Sequence, residues 1–163
     1  SLVGSEMCIR DRMIYEAGLL HDIGKIAIPE NIITKPGQLS DEEYGIMKTH
    51  VEHSIAIIRH LPSLDYLIPA VVGHHERWDG RGYPRGITGE ELPIGARCLA
   101  VADAFDAITS VRSYKPSYPV EYACQELRKQ AGRQFDPTLA ELFVKLVENG
   151  TITVENAAQG MKN

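Results

Sequence analysis

Six residues whose side chains commonly bind divalent metals punctuate the chain: His21 and Asp22, His50, His74 and His75, and Asp103. Imidazole nitrogen combined with carboxylate oxygen suits iron, manganese, cobalt, nickel or zinc. Two such ions, roughly 3.5–4 Å apart, need one bridging ligand and several terminal ones. Asp22 is the natural bridge, because its two oxygens can serve two ions whereas His21 can serve only one. A hydroxide held between two ions is a nucleophile at neutral pH, and the ions offset charge building on a phosphoryl group. Each residue alone has a plainer reading. A His-Asp pair ending a helix is commonly a cap or a dipole partner, and Asp103 could salt-bridge inside a bundle. A lone carboxylate within the apolar run Cys98 to Ile108 is expensive to keep, however, which favours a ligand. His53 and His60 read as solvated or helix-end residues and stay outside the set.

A second stretch, Glu76 to Pro84, is rich in glycine and carries Tyr83, which offers a ring and a phenol beside a ligand. Its plainer reading is a surface turn around Trp78. Asp106 follows Asp103 by one helical turn, and Arg112 and Lys115 come after that helix. A guanidinium and an ammonium near a metal pair match a phosphodiester carrying guanine bases, and Asp106 could accept from a guanine edge. Two basic residues in a loop are otherwise ordinary solvated charge.

These residues can converge only if helices position them. Met13, Ile14, Ala17, Leu20 and Ile23 give an apolar face ending near Gly24. Residues 26–39 read as a loop. Ser40, with Glu43 completing a capping box, predicts a long helix through Ile46, Val51, Ile55 and Ile58 that stops before Pro62. A further helix is expected from about Ser63 to His75, and a loop from Glu76 to Pro93. Helices follow over Ile94 to Val111, from Pro119 to about Gly132, and over Thr138 to Glu148. No strand signal stands out, so the expected fold class is all-α. Each candidate ligand group then belongs to a different helix end or face.

Composition sets the frame. At 163 residues, 44% apolar and 24% charged, the chain fits one ordered domain. A net charge of −5 argues against binding a long nucleic acid, although bound divalent metals would still admit a small anion. No apolar run reaches the roughly 20 residues of a membrane span. Cys8, Cys98 and Cys124 lack metal-ligand spacing and read as reduced thiols of a cytoplasmic protein. Residues 1–12 read as a non-native leader, since Leu2 to Arg12 matches the translation of a sequencing adapter. The domain is expected over 13–148, with a C-terminal tail over 149–163.

Taken in order, His21-Asp22-Ile23-Gly24-Lys25, His50, His74-His75-Glu76, Gly82-Tyr83-Pro84 and Asp103 resemble the motifs of HD-GYP domains, over about residues 13–148. The resemblance implies an HD-superfamily helical bundle with two or three divalent metals, iron or manganese foremost. It implies hydrolysis of cyclic di-GMP to linear pGpG, and possibly on to GMP. It casts His21, Asp22, His50, His74, His75 and Asp103 as ligands and Asp22 and Lys25 as catalytic. Lys25 would contact the scissile phosphate and assist the leaving group, while Tyr83, Asp106, Arg112 and Lys115 would contact substrate. It further implies an upstream sensory or receiver domain and a diguanylate-cyclase partner at the Gly82-Tyr83-Pro84 loop. Family members carry an earlier helix pair with another histidine, which is missing here, so this chain is expected to be impaired. The alternatives are an HD hydrolase of another cyclic dinucleotide, or a non-catalytic module that binds nucleotide or a partner.

Overall fold

The structure, a computed structural model, describes residues 2–111 and 117–154, with the backbone alone described for 2–10. Eight α-helices are present among them: α1 (Leu2–Leu20), α2 (Glu30–Ile33), α3 (Asp41–Lys48), α4 (His50–Arg59), α5 (Ile68–Gly73), α6 (Ile94–Thr109), α7 (Val120–Gln130) and α8 (Pro137–Glu148). Short 3₁₀ turns cover Ile23–Ala27, Pro62–Leu67 and Gly89–Glu91. No strand occurs among the described residues beyond an isolated bridge between Ala131 and Phe135, and the fold is all-α. No helix of the described residues is long and apolar enough to cross a membrane.

Local chemistry sets most boundaries. Ser40 caps α3 in a reciprocal box: its hydroxyl accepts from Glu43 N, and the Glu43 carboxylate accepts from Ser40 N at 2.7 Å. Asp136 caps α8 by accepting from Thr138 N and Leu139 N, with Pro137 at the first helical position. Three expectations need correction. The long helix from Ser40 breaks at Thr49, whose N–H and hydroxyl both turn back to Ile46 O, and Ile46 is exposed rather than on a core face. The helix expected from Ser63 begins as a 3₁₀ turn and becomes α-helical only at Ile68. Pro69 lacks an N–H, which suits the first turn of α5 and would interrupt a longer helix. The loop of residues 26–39 contains α2. To the front, α1 extends back to Leu2 through the segment read as a leader; helical backbone there is silent on its origin.

Two apolar clusters lie on either side of α6. One joins Ala17 of α1, Ile58 of α4, Leu67, Ala70 and Val71 beside α5, and Leu99 of α6. The other joins Val101 and Phe105 of α6 to Ala123, Cys124 and Leu127 of α7, Phe135, and Ala140 and Val144 of α8. The alanines of α6 let α5 approach closely: a β-carbon on Gly73 would lie 2.7 Å from that of Ala96. This tight crossing sets His74, at the end of α5, against Asp103 of α6 across one shared centre.

Candidate metal centre

Three of the four histidines are built alike. Each follows a helix end, where carbonyls lack an intrahelical partner, and each turns its Nδ1 back onto the carbonyl three residues earlier. His21 Nδ1 meets Gly18 O at 2.7 Å, His50 Nδ1 meets Met47 O at 2.6 Å, and His74 Nδ1 meets Val71 O at 2.6 Å. A carbonyl can only accept, so Nδ1 carries the proton and Nε2 of each ring is turned to the centre. There Asp22, His50, His74 and His75 place one ligand atom each within 4.8 Å of one another. Asp22 sits between two histidines: Oδ1 is 3.4 Å from His50 Nε2 and Oδ2 is 3.4 Å from His21 Nε2. Asp103 closes the ring from α6, 3.7 Å from His21 Nε2.

This donor set fits a divalent cation. His21 Nε2, Asp22 Oδ1 and His74 Nε2 are buried and have no hydrogen-bond partner among the described residues. An orphaned buried polar atom costs about 1–3 kcal/mol, and three in one spot are a cost that a bound cation would remove. His50 Nε2 and His75 Nε2 lie 3.1 Å apart. Two nitrogens this close can each stand about 2.1 Å from a single ion, so the spacing permits shared coordination.

Electrostatics divide the centre. Burial depresses His74 to about 4. Burial, with His74 and His50 nearby, depresses His75 to about 3. Both rings are therefore neutral and ready to ligate near pH 7. Burial also opposes a charge on His21, but Asp103 and Asp22 outweigh it and raise His21 to about 10. Without metal, His21 is an imidazolium held between two carboxylates. Burial works against the Asp22 carboxylate too, yet His21 and Lys25 hold it well below the usual carboxylate range.

Close backbone packing fixes the His-Asp turn. The 3₁₀ turn after it lies on α4 so tightly that a β-carbon at Gly24 would overlap the His50 carbonyl and Ser54 N. Fully buried Ser54 stitches the two segments, accepting from Gly24 N and donating to His21 O, both at 2.9 Å. The sequence held no signal for Ser54, a small polar residue in an otherwise amphipathic helix.

The loop after His75 is anchored by Glu76. This carboxylate is buried and faces away from the histidines, accepting from Arg85 N at 2.6 Å and Gly86 N at 3.0 Å. Gly82 lies against the backbone of His75 to Arg77, where any β-carbon would overlap it. Tyr83 consequently stacks on His75 with ring centroids 4.8 Å apart, and its N–H donates to His75 O. Burial pushes the Tyr83 phenol up. A cleft of about 550 Å³ opens from His74, His75, Tyr83 and Asp103 along Ala100, Ala104 and Ala107 of α6.

The structure thus brings together His21, Asp22, His50, His74, His75 and Asp103, with Tyr83 beside them. Lys25 Nζ lies 2.5 Å from Asp22 Oδ2 at the rim. Asp106 is exposed, accepts from the Ser110 hydroxyl and does not line the cleft. Arg112 and Lys115 lie outside the described residues. His53 and His60 are exposed.

An all-α bundle that converges four histidines and two aspartates on one point is a helical scaffold able to hold a metal ion. The chain belongs to the HD-domain family, whose model, described as HD domain, matches residues 10–139. It is 44% identical over 137 residues to the 3'3'-cGAMP-specific phosphodiesterase 2 of Vibrio cholerae, covering 82% of this chain and 26% of that protein. It is 42% identical over 149 residues to a cyclic di-GMP phosphodiesterase of Thermotoga maritima, covering 88% of this chain and 40% of the relative. The chain therefore spans well under half the length of either. A solved cyclic GMP-AMP-specific phosphodiesterase of V. cholerae shares the fold, with a TM-score of 0.63 and 22% identity over 85% of this chain and 38% of that one.

Proposed function

We propose that this chain is the hydrolytic core of a cytoplasmic, metal-dependent phosphodiesterase that cleaves cyclic di-GMP to pGpG. The observation that carries the reading is the cluster of inward-facing Nε2 atoms around Asp22, three of its polar atoms left unpartnered in the interior. The relatives named as cyclic di-GMP phosphodiesterases, in T. maritima and V. cholerae, supply the substrate class. His21, Asp22, His50, His74, His75 and Asp103 would hold two or three divalent ions, iron or manganese foremost. When bound, such ions supply Lewis acidity toward a phosphoryl oxygen and make water a nucleophile near neutral pH.

The chain's own residues set the rest. His21, held between Asp22 and Asp103, would have to be neutral to serve as a ligand. Lys25, 2.5 Å from Asp22 at the rim, is placed to donate to the phosphate and then to the departing oxygen. Tyr83 covers the outer face of His75 and limits water there. Arg112 and Lys115 are assigned to the substrate phosphates and guanine edges. A second reading, 3'3'-cGAMP as the preferred substrate, is favoured by the 44% identity to an enzyme of that specificity.

Turnover of both cyclic dinucleotides with manganese or anaerobic iron, with pGpG and GMP separated, tests the proposal. Hydrolysis of cyclic di-GMP that disappears in Asp22→Ala is the expected result. A protein that loads metal yet leaves cyclic di-GMP intact, also in a longer form carrying an upstream helix pair, would refute it. Cleavage of 3'3'-cGAMP alone would then establish the second reading, and binding without cleavage a signalling module.

A further inference from the structure

Helix α3 buries none of its residues. Its start is fixed by the Ser40–Glu43 box, which Lys35 extends with a 2.5 Å bond to Glu43, so its placement depends on its cap rather than on the core. Its inner face nevertheless carries Tyr44 and Lys48, one turn apart. Tyr44 is 47% exposed yet lines the cleft, and its ring stands edge-on to Tyr83 with centroids 6.3 Å apart. Lys48 Nζ lies 5.0 Å from the Tyr44 ring centre and 5.9 Å from that of Tyr83. No carboxylate of the described residues pairs with this ammonium. Tyr83 stacks in turn on His75, so the two rings and the cation continue outward from the metal cluster.

We propose that Tyr44 and Lys48 form, with Tyr83, a substrate subsite. Tyr44 takes the face of one nucleobase, and Lys48 takes the phosphate that is not being cleaved. The inference rests on the phosphodiesterase reading for its substrate class. A cyclic dinucleotide with one phosphate at the metals must place its second phosphate and a flanking base a short way off. An exposed ring and an unpaired ammonium in a concave wall match those two groups. A surface tyrosine packed on a helical lysine would serve helix stability alone, but it has no reason to line a cleft beside buried histidines. Stacking does not distinguish guanine from adenine, since every base presents a π-face. The subsite therefore sets affinity for cyclic dinucleotides as a class.

The test pairs kinetics with direct binding on the metal-loaded chain. Tyr44→Ala is expected to raise KM for cyclic di-GMP and 3'3'-cGAMP about ten-fold and by similar factors, with the loss in KM rather than kcat. Tyr44→Phe should restore binding, and Tyr15→Ala, on the exposed face of α1, serves as the control. Lys48→Gln should weaken pGpG binding by calorimetry most at low salt, where an ammonium–phosphate contact is least screened. Metal content and melting temperature should match wild type throughout. Unchanged KM and pGpG affinity in Tyr44→Ala, or a fall in kcat together with metal content, would overturn the subsite. If neither the wild-type chain nor a longer form carrying an upstream helix pair cleaves a cyclic dinucleotide, the phosphodiesterase reading fails separately, and pGpG affinity in the Tyr44 variants still decides the subsite.

Discussion

The histidine centre and the α7–α8 hairpin solve opposite problems with the same kind of helix. In the hairpin, Ala123, Ala140 and Val144 are fully buried, and the outer face is closed by Arg128 bonded to both Glu141 and Glu148. Its interior asks nothing of a ligand. The centre instead concentrates three of the four unpartnered buried polar atoms found among the described residues; the fourth, Arg97 Nε, belongs to a guanidinium already paired with Asp136. The contrast separates residues that stabilise the fold from residues the fold carries at a cost. That surplus polarity is the mark of a site.

The widest separation between the two regions should come from a ligand. His74→Ala is expected to lower cyclic di-GMP turnover at least 100-fold, on the order of a lost metal ligand. Manganese is expected to raise the melting temperature of the wild-type chain and to leave that of this variant unchanged. Val144→Ala is the mirror case: about 1–3 kcal/mol of stability lost by denaturant titration, with activity per folded molecule retained. If it abolished activity in the folded fraction, the two regions would be coupled and the contrast would fail.

Glu76→Gln tests the border between them. Turning one acceptor into a donor against Arg85 N or Gly86 N should cost about 1–3 kcal/mol and loosen the loop that holds Tyr83 on His75. The chain has one tryptophan, Trp78 in this loop, so its fluorescence should shift as kcat/KM falls.

Protonation gives a subtler measure. Folding lowers His74 and His75 to about 4 and about 3, below their ordinary 6.5, so the unfolded chain takes up protons first as pH drops. Their contribution is complete above pH 6.5 and is lost as pH falls toward 3. His21, raised to about 10, acts oppositely: its contribution is complete below 6.5 and is lost as pH rises through 10. The metal-free chain should therefore be most stable near pH 6.5. Metal binding at pH 8 should release about one proton, seen as a dependence of calorimetric heat on the ionisation enthalpy of the buffer. Absence of that dependence would remove the imidazolium from the centre. The smallest effect belongs to the hairpin surface, where Arg128→Ala should leave the denaturant midpoint nearly unchanged because its partners are solvent-exposed.

The sequence made most of the candidate ligands legible because His21, Asp22, His50, His74 and His75 lie at or beside helix ends, whereas Asp103 stood out as a lone carboxylate in the apolar run of α6. Ser40 with Glu43 and Asp136 with Pro137 announced their helices through local bonds that spacing alone discloses. What stayed hidden depends on contacts distant in sequence. Gly24 is needed because α4 passes against it, and Ser54 because it bridges that same approach. Glu76 stands beside two histidines, yet its side chain serves amides nine and ten residues later. Tyr44 and Lys48 drew no notice, since a polar-faced helix reads alike whether or not it walls a cleft. Asp106 shows the converse: one turn from Asp103, it nevertheless points to Ser110.

The bond from each histidine to the carbonyl three residues before it has a bearing on inheritance. Ring orientation at His21, His50 and His74 is specified inside a four-residue segment, so each ligand carries its own alignment wherever its helix goes. Loops between the helices can lengthen or shorten without re-aiming those three rings. The centre then works as an assembly of interchangeable parts, in which the packing of helix backbones sets the fit and the connecting chain is left free to diversify.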